Sequence, residues 1–96
     1  WDVGTRRVHF RPDIDLRGKR ADEAMEEVVA FIDEAIMVNA GELRILHGKG
    51  NGVLRQLIRE YLQTVDLVEW YGDEHVDRGG SGVTVVRLET LGSSTP

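Results

Sequence analysis

Two short segments carry the side chains best equipped for chemistry. Asp15-Leu16-Arg17-Gly18 sets a carboxylate and a guanidinium two residues apart, and His47-Gly48-Lys49-Gly50-Asn51-Gly52 sets a histidine and a lysine among glycines. Glycines let backbone N–H groups approach an anion closely, and a loop leading into a helix N-terminus adds a dipole that favours phosphate. His47 could act as general acid or base, since its usual pKa lies near neutrality. Asp15 could position His47, accept from Arg17 or a backbone N–H, or simply cap a turn. A glycine-rich turn joining strand to helix would look similar to the second segment, but such turns rarely need His47 and Lys49. The spacing is neither the GxxxxGK[ST] phosphate loop nor the dinucleotide fingerprint.

Elements of the right kind stand around both segments. Residues 1–12 read as an N-terminal arm with Val8 and Phe10 on one face, ending at Pro12. Asp13 to Leu16 reads as a short strand. From Ala21 to Val38, Ala24, Met25, Val28, Val29, Ile32, Ala35 and Ile36 recur at helical spacing, with Asp22 and Glu23 in the first turn. Asn39 to Gly41 is the stop signal. Leu43 to Leu46 is a second strand, Val53 to Thr64 a second amphipathic helix, Leu67 to Tyr71 a third strand and Val83 to Leu88 a β-branched fourth. Asp73 to Gly82 is a polar, glycine-rich loop. The order predicts a two-layer α/β fold, a four-stranded mixed sheet with two helices on one face and an antiparallel final pair. If the first two strands are parallel, both segments open on the same sheet edge, where ligands of open α/β sheets usually sit.

Composition bounds the rest. Ninety-six residues make one domain, here spanning 13–89, with residues 90–96 read as a disordered tail. The absence of cysteine excludes disulfides, zinc–thiolate sites and thiol nucleophiles. No apolar run approaches the ~18 residues of a membrane span, so a soluble, cytoplasmic protein is expected, and Trp1 at the start suggests a piece of a longer polypeptide. Net charge is −5, but seven acids and no Lys or Arg fall between Asp22 and Glu42, leaving twelve basic residues against ten acids elsewhere. Arg17, Lys19 and Arg20 cluster in one loop, and Lys49, Arg55 and Arg59 near the other. This is compatible with a phosphate ligand, or with two solvated surfaces. Asp15, His47, Glu74 and His75 are the one plausible ligand cluster for a metal, too poor in acids for magnesium, so none is expected. Trp70 and Tyr71 could stack a base, with one of them core by strand alternation.

The DLRG segment, the helix after it, Leu46-His47-Gly48-Lys49-Gly50, the helix opening at Val53-Leu54-Arg55 and the Gly79-Gly80-Ser81-Gly82-Val83-Thr84-Val85 run together resemble the Smr (small MutS-related) domain family. The resemblance covers about residues 13–89 and is closest to the C-terminal Smr domain of bacterial type-two MutS proteins. It implies a βαβαββ sandwich like the C-terminal domain of bacterial initiation factor three. It also implies binding of DNA or RNA, and metal-independent endonuclease (nicking) activity in several members. The parent proteins it points to carry an ATPase module absent here, so ATP is no cofactor of this domain. They form homodimers and act in recombination suppression or at collided ribosomes. Asp15, Arg17, His47 and Lys49 match the family's motif positions, and Gly48 and Gly50 its backbone-approach positions. Lys19, Arg20 and Arg55 join them as candidate nucleic-acid contacts. Many active members carry His where this chain has Arg17, which cannot serve as a base. Arg17 could instead clamp a phosphate and stabilise its transition-state charge. A non-catalytic DNA-, RNA- or ribosome-binding module is the alternative.

Overall fold

The computed structural model describes residues 9–90; the expected tail from Leu91 and the arm before His9 lie outside the described residues. The chain runs β1 (Asp13–Asp15), α1 (Ala21–Met37), β2 (Glu42–Leu46), α2 (Val53–Leu62), β3 (Val68–Asp73) and β4 (Val83–Leu88). The four strands form one sheet in the order β1-β2-β4-β3. β1 is parallel to β2, and β4 is antiparallel to both β2 and β3. This is the α/β fold expected, a mixed four-stranded sheet with two helices.

The core explains the topology. Ala24, Val28, Ile32 and Ala35 of α1 and Ile58 and Leu62 of α2 are buried against Leu43, Ile45, Val86 and Leu88 of the sheet and Leu16, just past β1. All five residues of β4 other than Arg87 that follow Gly82 up to Leu88 are buried, as a strand with neighbours on both sides requires. The apolar stripe of α1 faces inward at helical period, while Val29, counted in that stripe, stays exposed. α1 ends where Asn39 takes a left-handed φ of 61°. Ala40 N–H then donates to Ala35 O at 2.9 Å and Asn39 N–H to Ile36 O at 3.1 Å, so the last carbonyls are satisfied.

Several boundaries differ from the sequence reading. α2 stops at Leu62, and Thr64 N–H closes a tighter turn onto Tyr61 O at 2.9 Å. Val53, the first residue of α2, is exposed. β3 continues past Tyr71 because Gly72 and Asp73 pair with Val85 and Thr84, a ladder that a glycine and an acid conceal in sequence. The loop that follows contains two single 3-10 turns, Val76–Arg78 and Gly80–Gly82. Of the N-terminal arm, Phe10 stacks on Phe31 of α1 at 5.6 Å, and Pro12 O accepts from Arg44 N–H at 2.8 Å.

Candidate functional site

Parallel pairing puts Asp15 opposite Leu46, so the DLRG and HGKG segments leave the sheet side by side. Leu16 N–H donates to Leu46 O at 2.8 Å, and the buried Leu16 side chain anchors the first loop in the core. Leu16 turns inward, and Asp15 and Arg17 stay at the surface. Asp15 Oδ1 accepts from the Arg17 backbone N–H and from Nε, each at 3.1 Å, and Oδ2 accepts from Nη2 at 2.9 Å. This bidentate pair holds the guanidinium in one orientation at the loop mouth. The side-chain hydrogen bond from Arg17, first, and its backbone N–H, second, bring the Asp15 pKa down to about 2. Asp15 is therefore a carboxylate at neutral pH and a weak base. Its partners are Arg17 atoms, not His47.

His47 lies in a different environment. It is buried, and both ring nitrogens are engaged: Nδ1 meets Gly48 O at 2.9 Å and Nε2 meets Thr84 Oγ1 at 2.8 Å. A carbonyl only accepts, so Nδ1 carries the proton and Nε2 accepts from the Thr84 hydroxyl. Thr84 is fully buried and its oxygen also accepts from Arg59 Nη2 at 3.1 Å. Arg59 and Arg55 both bind Asp73 Oδ1, at 2.7 and 2.9 Å. Burial, and then the nearby Arg59 and Arg55 charges, pull the His47 pKa below its usual value. At neutral pH His47 is uncharged.

The glycines let these parts meet. Gly48, with φ of 84°, has the Arg17 stem beside it, 3.5 Å from where a Cβ would stand. The N–H groups of His47 and Gly48 both donate to Gly82 O, at 3.1 and 2.9 Å, and the Lys49 stem crosses Gly82 so closely that a Cβ there would stand 3.2 Å from Lys49 Cγ. The glycine run before β4 thus clamps the HGKG loop from the far side. Asn51 Oδ1 accepts from Val53 N–H at 3.1 Å at the start of α2.

The other residues singled out from sequence are placed variously. Lys19 pairs with Glu27 of α1 at 2.9 Å and Arg20 with Asp22 at 3.4 Å, both exposed. Arg55 pairs with Asp73 at 2.9 Å. Lys49 is exposed and has no carboxylate partner among the described residues. Glu74 binds Arg44 at 2.8 Å, and His75 and Asp77 stay exposed around the first 3-10 turn. Among the described residues no three His, Asp or Glu side chains converge on a common metal position. Tyr71 packs on the core, its hydroxyl accepting from Gln63 Nε2 at 2.9 Å, while Trp70 is exposed and carries the Arg87 guanidinium 5.1 Å from its ring centre.

A model of the Smr domain matches residues 14–89, which contain every one of these groups. The chain belongs to the Smr domain family. It is 45% identical over 81 residues to Endonuclease MutS2 of Latilactobacillus sakei, 84% of this chain but 10% of that protein. It is 44% identical over 77 residues to Endonuclease MutS2 of Symbiobacterium thermophilum, again 10% of its length. The chain therefore spans about a tenth of these relatives. The crystal structure of the Smr domain of Thermus thermophilus MutS2 superposes with a TM-score of 0.78 at 46% identity, covering 82% of this chain and 99% of that one. YdaL, a stand-alone small MutS-related protein from Escherichia coli, superposes equally well, with a TM-score of 0.78 at 26% identity, over 82% of this chain and 65% of its own.

Within this Smr domain, the Thr84–Arg59–Asp73 brace beneath His47 was missed by sequence reasoning. Arg59 stood out only as one of a basic cluster, and Thr84 looked like an ordinary β-branched strand residue. A polar residue at an inward position of the most apolar strand is the one signal that could have exposed it. No helix among the described residues is long and apolar enough to cross a membrane.

Proposed function

We propose that this Smr domain binds DNA or RNA through its phosphodiester backbone and nicks it without a metal ion. The observation that carries the reading is the exposed Arg17 guanidinium, fixed by Asp15 and set against the glycine-bent HGKG loop with Lys49. Asp15 engages Nε and one Nη, so the remaining N–H groups of Arg17 face outward toward an anion. Its charge would stabilise the extra negative charge of the pentacoordinate phosphorus, the work Arg does in place of His at this position. With RNA, a 2′-oxygen would bond to phosphorus as the P–O5′ bond breaks. The 2′-proton would leave to a base and the 5′-oxygen would take one up. With DNA, water would supply the oxygen. His47 is the group to move that proton, which requires the HGKG loop to release Nε2 from Thr84. The relatives' name, endonuclease, supports this reading. A parent MutS-like ATPase acting in recombination suppression or ribosome rescue belongs to the same proposal and rests on the family resemblance alone.

A second reading is favoured by one observation. Both His47 nitrogens are satisfied inside the protein, which suits a residue that shapes a phosphate-binding loop without doing proton transfer. The domain would then hold DNA, RNA or a ribosomal surface non-catalytically. Incubation of supercoiled plasmid and a structured RNA in EDTA, with the unmodified chain, His47→Gln and Arg17→Ala, separates the two. Product from the unmodified chain that disappears in both variants supports the nuclease. Retained binding without product from any of them, weakened with a shallower salt dependence by Arg17→Ala, supports the holding module.

A further inference from the structure

The face of the sheet away from the helices is not bare. The β3–β4 loop folds back across it, held by Arg44 Nε to Glu74 Oε2 at 2.8 Å and Arg44 Nη2 to Arg78 O at 3.1 Å. Gly79, at φ of 119°, lies so close to Val83 that a Cβ there would meet its Cγ2 at 2.6 Å. Between this loop and β1 remains a cavity of about 270 Å³. Leu46 and Val83 give it apolar surface, Asp13 and Asp15 stand on the β1 side, and Arg44 and Arg78 on the other.

We infer that this cavity is a pocket for one unpaired nucleobase of the nucleic acid whose phosphate sits on Arg17. The inference rests on the phosphodiester-binding reading and adds what that reading lacks, a reason to prefer one strand structure over another. Three features of the cavity carry it. Its volume lies just below the usual range of small-molecule clefts, about 300–1,000 Å³, and so suits a single flat heterocycle. Its walls are apolar with guanidinium groups at one side, the surroundings in which bases stack. Its position is fixed to the phosphate site by Asp15, which lines the cavity and at the same time holds Arg17. The two carboxylates offset the two guanidinium groups, so the cavity offers a phosphate no net attraction, and its apolar surface suits the neutral base. A base inside a duplex cannot reach such a pocket; one that is bulged, mismatched or at a junction enters at little cost.

The test is fluorescence anisotropy in EDTA with three probes of one sequence: a fully paired duplex, the same duplex with one bulged nucleotide, and the same bulge made abasic. The expected result is that the base-bearing bulge binds about tenfold tighter than the abasic one, the scale of a stacked base. Leu46→Phe, which fills the cavity from β2, should reduce that ratio to within about twofold and leave the paired duplex affinity as it was. Equal binding of base-bearing and abasic bulges overturns the pocket, and this comparison needs no variant to fold. A ratio that survives Leu46→Phe, in protein with the parent's circular dichroism, overturns it too. If all three probes bind equally and Arg17→Ala weakens all of them, the pocket falls while the phosphodiester reading stands. If none binds, both fall.

Discussion

The two loops that leave the parallel strands β1 and β2 side by side solve the same positional problem in opposite ways. After β1, Asp15 and Arg17 form an ion pair in water, each side chain more than half exposed. After β2, His47 is buried, uncharged, and tied through Thr84 and Arg59 to Asp73 at the end of β3. Exposed ion pairs contribute little to folding, and the N–H groups the carboxylate does not engage stay open to a ligand. Buried polar groups are the reverse, since a partner removed leaves a desolvated atom with nothing to bond. One loop is thus free to meet a ligand, and the other fixes the backbone on which the meeting occurs. The chemistry visible in the motif is the exposed half; the stability is in the half beneath it.

The sharpest way to break that contrast is Thr84→Val, which keeps the shape of a fully buried side chain and deletes its hydroxyl. His47 Nε2 and the Arg59 guanidinium then lose a common partner. Denaturant unfolding should show a loss of about 1–3 kcal/mol, the cost of an unsatisfied buried polar group. An unchanged midpoint would mean that the HGKG loop is held by Gly82 alone.

A smaller effect should follow pH. Folded His47 has a pKa below the usual 6.5 because it is buried among arginines. The unfolded chain binds a proton as pH falls through about 6.5 and the folded chain does not, so the His47 contribution is full above that value and declines below it. Melting temperatures from about pH 8 to about pH 5 should drop more for the parent than for His47→Gln, whose side chain does not titrate. Parallel curves would show that His47 gains a proton without resistance, and with it that Nε2 is open to solvent.

Much of this was legible in sequence for identifiable reasons. Periodic apolar residues located α1, because Val28, Ile32 and Ala35 must share one face to be buried. The side-by-side loops followed from connectivity, since a strand–helix–strand unit leaves parallel strands pointing the same way. The strand order was not legible: β4 lies between β2 and β3, and no local pattern records which edge it chooses. The partners of His47 were hidden for the same reason. Asp15 was two residues from Arg17 and could be paired on paper, whereas Thr84 and Asp73 reach His47 and Arg59 through antiparallel register. The charge clusters recorded only which basic residues are near in sequence; that Lys19 pairs with Glu27 and Arg55 with Asp73 is set by contacts across the fold.

Asp15→Asn should disturb the fold least and discriminate most. Asn keeps an oxygen for the Arg17 backbone N–H, so the turn survives, and the lost ion pair is exposed; the melting temperature at neutral pH should stay where it is. A carboxylate with a pKa of about 2 stops contributing only as pH falls from about 3.8 through that value, so any stability difference between parent and variant should vanish there. Function should divide. Arg17, released from its partner and no longer beside a negative charge, should bind nucleic acid up to about fivefold more tightly, the factor an exposed pair is worth. Cleavage should fall by about tenfold or more, because the guanidinium loses the fixed orientation from which it meets developing charge. Tighter binding with slower cleavage would assign Asp15 to orienting Arg17. A joint loss of both would mean that the carboxylate itself contacts the nucleic acid, and the exposed loop would then have to be read as a binding surface in its own right.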